Sequence, residues 1–242
     1  INFLEKTGLT ILKDDKQIDR FRSRIIFPIK SMSGRVLGFG GRILDNSKKN
    51  IAKYINSPES LIYQKSKVLY GIFEGKQSIV KNDNCFLVEG YTDVIKMHQN
   101  GINNVVSSSG TALTENQIRL ISRLTKNITV LFDGDAAGSR ATLRGIDLIL
   151  AQDMNVKICN LPNGEDPDSF VSVKKLEDIQ DFFNSNSKDF IVYKASLLLN
   201  DSENDPVKKA SVIRDIVESI SQVSDFIKRE LYIKECSKIM NI

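Results

Sequence analysis

The middle of the chain alternates short apolar runs with stretches of helical character, and this alternation limits the fold more than any other feature. The apolar runs lie in "CFLVEG", "NNVVSSSG", "NITVLFDGD" and "NVKICNLP". Helical spacing follows the first three, over Asp93–Gln99, from Glu115 onward and over Ala136–Gln152. Buried strands that alternate with helices are typical of a parallel sheet covered on both faces. The pattern therefore predicts one α/β unit over residues 84–172.

The flanking segments have different patterns. Residues 24–44 contain two β-type runs joined at Ser33-Gly34, which predicts a hairpin, and residues 64–81 have helical character. Beyond Lys174 the strands stop, and helical spacing in "VKKASVIRDIVESI" and "DFIKRELYIKECSKIM" predicts helices. Three glycines interrupt the second β run, which predicts bulges or the close approach of another chain: Gly38, Gly40 and Gly41.

Together these patterns predict an α+β fold in three parts. Residues 1–83 form a basic part with mixed β structure, residues 84–172 the α/β unit with a parallel sheet, and residues 173–242 a helical subdomain. The sequence contains no apolar run of about 18 residues, which excludes a membrane-spanning helix. Because the start "INFLEKTGLT" has neither a Met nor a signal pattern, we expect a fragment of a longer cytoplasmic protein.

The charge of the chain is unevenly distributed. The 242 residues carry a net charge of +4, but residues 1–82 contain 16 Lys and Arg against 7 Asp and Glu, a net of +9. Residues 83–242 contain 18 against 23, a net of −5. A basic front half indicates either a polyanionic partner or an ordinary solvated surface, and charge alone leaves both open.

The three cysteines and the single histidine are dispersed along the sequence. Cys85, Cys159 and Cys236 are far apart, and together with His98 they form no set with zinc-ligand spacing. We therefore expect no zinc in this chain, and dispersed thiols suit a reducing compartment.

Three carboxylates lie where strands of the predicted sheet end. Glu89 ends the first strand of the α/β unit, and Asp133 and Asp135 end the third, separated by one glycine. Ligands of open parallel sheets bind beyond the carboxyl ends of the strands, so neighbouring strands would bring these acids together. Such a cluster of like charges needs a cation, and oxygen ligands favour Mg²⁺ or Mn²⁺. The alternative is that one aspartate caps the next helix, which explains one residue but not the pair together with Glu89.

A further acidic loop, "NGEDPDSF", follows the fourth strand. Asp166 directly before Pro167 is common helix-capping chemistry, so the loop alone favours a structural role. Beside the other carboxylates, Glu165, Asp166 and Asp168 become candidates for a second set of metal ligands.

Two weaker features give no site. The segment "GIFEGKQS" only imitates a phosphate-binding loop, because three residues instead of four separate Gly71 from Gly75 and Gln77 follows Lys76. His98 lies on a predicted helix with no serine-histidine-aspartate arrangement around it, so we expect a surface or core side chain.

The motifs "LVEGYTD" and "FDGDAAG" resemble the TOPRIM module of topoisomerases and primases. The flanking motifs "RFRSRIIFPI", "GRVLGFGGR", "KYINSPES", "SSSGT" and "LPNGEDPDSF" resemble, in order, those of the bacterial DnaG-type primase catalytic core. This resemblance runs from about Arg20 to Val171. It implies a TOPRIM unit over 84–172 and a template- and nucleotide-binding part over 1–83.

The resemblance also implies roles for individual residues. It makes Glu89, Asp133 and Asp135 the metal ligands, with Asp93, Asp166 and Asp168 as supporting acids, and adds Lys53 to the catalytic residues. The ion would be Mg²⁺, with Mn²⁺ as a substitute. The residues implied to bind nucleotide or DNA are Arg22, Arg24, Arg42, Lys53, Tyr54, Asn56, Ser57 and Lys65.

The implied function is synthesis of short RNA primers from ribonucleoside triphosphates on single-stranded DNA, in the bacterial cytoplasm at the replication fork. Its partners would be the template, the RNA–DNA product and the replicative helicase. We expect three parts of the family to be missing from this chain: the zinc-binding domain, part of the leading segment of the core, and the helicase-binding domain.

Two other classes remain as alternatives. The first is a TOPRIM topoisomerase or nuclease. A topoisomerase would need a nucleophilic tyrosine on a separate cleavage domain, whereas all six tyrosines lie in segments already assigned. A non-catalytic TOPRIM binding module of the recombination-mediator kind would not be expected to carry the full set of acids.

Overall fold

The computed structural model describes residues 2–14, 16–44, 52–110, 112–133, 140–200 and 206–242. Its N-terminal part contains two small antiparallel sheets. A short helix precedes the first sheet, which is a two-stranded hairpin, and the second sheet has the strand order β3-β4-β5. The elements are α1 (Asn2–Lys6), β1 (Thr10–Lys13), β2 (Lys16–Asp19), β3 (Arg24–Lys30), β4 (Val36–Ile43) and β5 (Tyr54–Asn56).

Strands β3 and β4 form the hairpin that the sequence predicts. Gly34 has φ +89° in the turn, and its amide donates a hydrogen bond to the Ser31 carbonyl. The register shift between Ile29 and Lys30 leaves one extra residue, Leu37, on β4 directly beside Gly38, so the predicted bulge is confirmed there, whereas the register is regular at Gly40 and Gly41.

Instead, the glycines of β4 make room for aromatic rings of the same chain. A Cβ atom on Gly40 would lie 2.6 Å from the ring of Tyr91, and one on Gly41 would lie 2.6 Å from the ring of Phe21. Internal packing therefore accounts for the lack of side chains at these two positions.

The helix predicted over residues 64–81 is interrupted. A 3₁₀ turn covers Lys65–Lys67, and α2 (Ile72–Asn82) begins only after Gly71. Gly71 has φ +83°, a left-handed conformation that breaks a helix and that side chains other than glycine rarely adopt. The predicted start of this helix is therefore wrong.

The central part is the predicted α/β unit. Its strands run parallel in the order β9-β8-β6-β7, which confirms the parallel sheet. The first four residues of the helix predicted over Ala136–Gln152 lie outside the described residues. The elements are β6 (Cys85–Val88), α3 (Tyr91–Gln99), β7 (Val105–Ser107), α4 (Glu115–Ser122), β8 (Asn127–Phe132), α5 (Arg140–Leu150), β9 (Asn155–Asn160) and α6 (Pro167–Ser172).

The C-terminal part is mostly helical, as predicted, but it also adds a strand. The elements are α7 (Leu176–Asn186), β10 (Ser187–Asp189), α8 (Phe190–Asn200), α9 (Pro206–Ser221) and α10 (Phe226–Met240). Strand β10 pairs antiparallel with β9 and becomes the edge of a five-stranded sheet. The prediction that strands stop beyond Lys174 is thus wrong, because the segment Ser-Lys-Asp has no apolar alternation and forms a strand only through this pairing.

One hydrophobic core joins the α/β unit to the C-terminal helices. It includes Ile128 and Ile158 from the sheet, Phe190 from α8, and Ile216 and Met240 from the last two helices. All three cysteines are free and buried. Among the described residues, no helix is both long enough and apolar enough to cross a membrane.

Candidate active site

Two of the predicted metal ligands follow neighbouring strands at the same edge of the sheet. Strands β6 and β8 pair in parallel, with Cys85 opposite Ile128 and Leu87 opposite Val130. Glu89 and Asp133 therefore leave the sheet side by side at its carboxyl edge, where ligands of such sheets bind. Glu89 is exposed and Asp133 is half-buried. Asp135, the third predicted ligand, lies outside the described residues.

Asp93 lies just behind this edge, in the first turn of α3. Its Oδ2 atom accepts a hydrogen bond of 2.8 Å from the Gly90 amide, and the residue is only 7% exposed. The pKa of Asp93 is raised to about 6, mainly by burial, with a smaller contribution from the negative charges of Asp133, Asp166 and Asp168 and an opposing effect of the Gly90 amide. Asp93 therefore interacts electrostatically with the three other acids.

Two of the three acids of the "NGEDPDSF" loop also have structural roles. Asp166 caps α6, since its Oδ1 accepts a 2.7 Å hydrogen bond from the Ser169 amide. Asp168 lies in the first turn of α6, where its carbonyl accepts a hydrogen bond from the Ser172 hydroxyl. Helix capping is therefore confirmed for Asp166, while its side chain still contributes negative charge to the edge of the sheet.

The chemistry of this edge fits a hard divalent cation. Its candidate donors are carboxylate oxygens, which Mg²⁺ and Mn²⁺ prefer. Burial is the main cause of the raised pKa of Asp93, and the negative charges of Asp133, Asp166 and Asp168, which add to it, are charges that a cation would offset. Within the described ranges, no three Asp, Glu, His or Cys side chains already form a group that could hold a metal ion. Asp135 lies outside these ranges.

The predicted basic residues differ in their surroundings. Arg22 and Lys53 are exposed, and the Arg42 guanidinium lies 5.7 Å from the centre of the Tyr54 ring. Lys65 is half-buried in the 3₁₀ turn. Arg24 instead holds the backbone beside β5, because its guanidinium donates hydrogen bonds to the carbonyls of Gly41, Ala52 and Lys53 at 2.9 to 3.3 Å.

The predicted nucleotide-binding residues of β5 are also tied into the fold. Ser57 is buried, and its hydroxyl accepts a 3.0 Å hydrogen bond from the Phe39 amide. Asn56 accepts a 2.7 Å hydrogen bond from the Tyr91 hydroxyl through Oδ1. The Asn56 carbonyl accepts another, at 3.2 Å, from Arg20 Nε. Strand β5 therefore lies next to the turn that carries Glu89.

Sequence reasoning missed the contribution of Tyr91 and of the serines after β7. Tyr91 follows Glu89-Gly90 directly, and its ring stacks on Phe27 with centroids 5.0 Å apart. Its place in the "LVEGYTD" motif was the available signal, but an aromatic residue at a helix start is ordinary core material. Only the fold shows that it connects β5 to the acidic edge.

The two weaker features are not functional sites in the structure either. Lys76 of the phosphate-loop imitation lies on α2, donates a 3.0 Å hydrogen bond to the Met32 carbonyl and packs over the Phe73 ring. His98 is half-buried on α3, and its pKa is lowered by burial.

Three family models match consecutive parts of the chain. The model described as the N-terminal domain of the DNA primase catalytic core matches residues 1–76, and a Toprim-like model matches residues 86–171. The model described as the DnaB-helicase binding domain of primase matches residues 204–242. Our expectation that the helicase-binding domain is missing is therefore wrong, because helical periodicity alone could not identify these last helices.

Individual relatives agree with these matches. A DNA primase of Clostridium acetobutylicum is 40% identical over 236 residues, which are 97% of this chain and 38% of the relative. A DNA primase domain from Pseudomonas aeruginosa is 32% identical with a TM-score of 0.87, covering all of this chain and 76% of that one. A DnaG primase catalytic domain bound to single-stranded DNA is 33% identical with a TM-score of 0.86, covering 98% of this chain and 77% of that one.

The chain thus spans less than half the length of the full-length primase it matches, but most of the length of isolated catalytic domains. Identity above 30% over most of such a domain is more than a shared fold. The chain therefore belongs to the DnaG-type bacterial DNA primase family and corresponds to its catalytic core.

Proposed function

We propose that this chain is the catalytic core of a primase that synthesises short RNA primers from ribonucleoside triphosphates on single-stranded DNA during replication. The observation that carries this proposal is that Glu89 and Asp133 follow two paired parallel strands at the carboxyl edge of the sheet. The chain also resembles primase catalytic domains over its whole length. A replication role would put the protein in the bacterial cytoplasm.

Glu89, Asp133 and Asp135 would hold Mg²⁺, with Mn²⁺ as a substitute, and Asp93, Asp166 and Asp168 would support the site. When bound, the ion would neutralise phosphate charge and stabilise the charge that develops at phosphorus. The buried Asp93 accepts the Gly90 amide and so fixes the turn that carries Glu89. This arrangement would present the Glu89 carboxylate to the ion, which would in turn hold the incoming triphosphate.

The β5 strand would bind the nucleotide. The exposed Lys53 ammonium is a mobile point charge suited to a phosphate, and Arg42 lies against the Tyr54 ring. Ser57 and Asn56 hold the strand against β4 and Tyr91. In this proposal, Lys53 and Arg42 place positive charge beside the acidic carboxyl edge of the parallel sheet.

The basic front half would bind the template through its phosphates, with Arg22 as an exposed contact. A related catalytic domain carries single-stranded DNA, which supports the same class of partner here. Because phosphate contacts carry little sequence information, we propose binding with weak base preference. The product would be an RNA–DNA duplex.

The replicative helicase is a further proposed partner. It would contact the helices within residues 204–242, which match the DnaB-helicase binding domain of primase. This replaces our initial view that the helicase contact lies wholly outside the chain.

The topoisomerase alternative needs an accessible tyrosine nucleophile. All six tyrosines lie in the described part of the chain, and none of them is exposed there. Tyr63 and Tyr91 are each 2% exposed, and burial raises the pKa of Tyr70 to about 12. The geometry therefore favours the primase.

The proposal is tested by template-dependent synthesis. The chain is incubated with single-stranded DNA, labelled ribonucleoside triphosphates and Mg²⁺ or Mn²⁺. Short products that ribonuclease destroys and that disappear without template would support the primase. DNA cleavage or relaxation without RNA synthesis would support the topoisomerase or nuclease instead.

A further inference from the structure

Tyr91 occupies a point of contact between the two halves of the site. It is the first residue of α3, directly after the Glu89-Gly90 turn, and its side chain reaches back to the front sheet. The ring is 2% exposed, stacks on Phe27 at an interplanar angle of 9°, and fills the space above Gly40. The ring position is therefore fixed by packing, independently of the hydroxyl group.

The Tyr91 hydroxyl makes hydrogen bonds in two directions. It donates to Asn56 Oδ1 on β5 at 2.7 Å, and it also forms a hydrogen bond with the Ser109 side chain. One buried oxygen thus connects the proposed nucleotide strand to the segment after β7.

The same segment holds the Glu89 turn. The Ser107 hydroxyl donates a 2.6 Å hydrogen bond to the Glu89 carbonyl and accepts a 2.8 Å hydrogen bond from the Ser109 amide. The backbone of Ser107 also exchanges two 3.0 Å hydrogen bonds with Tyr70. Ser107 is completely buried, so these bonds are shielded from water.

The backbone of Ser109 is in an unusual conformation. Its φ of +59° lies in the left-handed region, which residues other than glycine seldom adopt without support from their surroundings. Here the support comes from the Ser107 hydroxyl and the Tyr91 hydroxyl. Sequence reasoning found no role for the "SSSG" motif, but its serines thus take part in the hydrogen bonds that hold this segment in place.

We propose that Tyr91 is a positioning residue, whose hydroxyl links Asn56 on β5 through Ser109 and Ser107 to the backbone of Glu89. The linkage fixes the spacing between the strand that binds the nucleotide and the turn that carries the metal ligand. This inference rests on the proposed function, since it assigns those two roles to β5 and Glu89.

The linkage matters because nucleotidyl transfer depends on alignment. A misplacement of about 1 Å between bound groups costs on the order of 100-fold in rate. If β5 shifts relative to Glu89, the nucleotide still binds but reacts slowly. Loss of the hydroxyl should therefore lower kcat more than it raises KM.

The test compares Tyr91→Phe with the parent chain and with Tyr70→Phe as the matched control. Phenylalanine keeps the ring in both cases, and Tyr70 packs edge-on against Tyr91 with centroids 4.7 Å apart. Three properties are measured: kcat and KM for primer synthesis, affinity for single-stranded DNA, and amide hydrogen exchange of residues 52–59 and 107–110.

We expect Tyr91→Phe to lower kcat roughly tenfold with KM and DNA affinity near those of the parent. Exchange should accelerate in both segments by roughly two- to tenfold, as for one lost hydrogen bond. The unfolding temperature should stay within about 4 °C of the parent. Tyr70→Phe should change none of these quantities.

An Asn56→Ala change and the double variant complete a cycle. If the hydroxyl acts through Asn56, the double variant loses no more kcat than Asn56→Ala alone. The inference is overturned if Tyr91→Phe retains full kcat, if exchange changes in neither segment, or if the two kcat losses multiply. If the parent makes no RNA, the proposed function fails, and the exchange measurement alone decides whether the linkage exists.

Discussion

At the scale of single residues, Asp93 reports most directly on the electrostatics of the site. Its pKa rises from 3.8 to about 6, first because it is buried and then because other acids surround it. Since the folded state raises this pKa, folding favours the protonated form. The stability that Asp93 contributes is present at low pH and is lost as the pH rises through about 6.

This gives a prediction for the metal-free chain. With divalent ions chelated, Asp93→Asn should be more stable than the parent at about pH 7 by on the order of 2 kcal/mol, and the difference should vanish near pH 4. The measurement is the free energy of unfolding in denaturant at several pH values. If the free energies of unfolding of the two proteins change with pH in parallel, ionisation of Asp93 does not destabilise the folded state.

The aspartates after β8 separate metal binding from helix capping. Asn caps helices about as well as Asp, so Asp133→Asn and Asp135→Asn should fold normally if either residue is a cap. We expect both variants to be stable but inactive, with weaker Mn²⁺ binding measured by titration. Undiminished Mn²⁺ affinity in both variants would favour the capping interpretation.

At the scale of elements, strand β5 depends on Arg24. The guanidinium donates to the carbonyl of Gly41 on β4 and to those of Ala52 and Lys53, the two residues before β5. The sequence predicts Arg24 as a template contact. In the structure this side chain also holds the backbone of the segment that carries Lys53. Arg24→Ala would therefore disturb the local fold as well as DNA binding, and the two effects would not be separable.

Arg22 and Lys53 allow a cleaner comparison, because both are exposed. Arg22→Ala should weaken single-stranded DNA binding and lower the log–log salt slope by about 0.7, the value for one phosphate contact. Lys53→Ala should reduce synthesis at saturating template far more than DNA affinity. Salt-titrated binding and primer synthesis are measured side by side. If both variants match the parent in both assays, the basic half is only a solvated surface.

The elements also show which parts of the fold a sequence reveals. Strands β6 and β8 are nearly continuous apolar runs, and their burial between helices makes both their type and the position of Glu89 and Asp133 predictable. Strand β10 is short and polar, and it exists only through pairing with β9.

The linkage through Tyr91 could not be predicted for a related reason. It joins Asn56 and Ser109, residues distant in sequence, and neither has a pattern that specifies its partner. The close packing at Gly71, where a Cβ would lie 2.7 Å from Val94 Cγ1, likewise joins residues distant in sequence. Local patterns therefore gave the scaffold and the acids, whereas tertiary contacts determine how the site is held.

At the scale of the whole molecule, the α/β unit and the C-terminal helices share one core. Ile216 on α9 is 1% exposed and belongs to the same cluster as Ile128 and Ile158 of the sheet. Ile216→Ala should therefore lower the stability of the entire unit by about 2–5 kcal/mol. We expect one cooperative transition with coincident curves from tyrosine fluorescence and circular dichroism. A separate early transition of the C-terminal helices would contradict the shared core.

The central claim is that Glu89 is a ligand of the metal used for primer synthesis. Glu89→Gln keeps the size and polarity of the exposed side chain but removes its charge, so folding should be unaffected. The decisive measurement is RNA synthesis on single-stranded DNA by the parent and by Glu89→Gln at low Mg²⁺, with equal unfolding temperatures as the control. We predict short RNA from the parent and almost none from the variant. Near-normal synthesis by Glu89→Gln would contradict the assigned site.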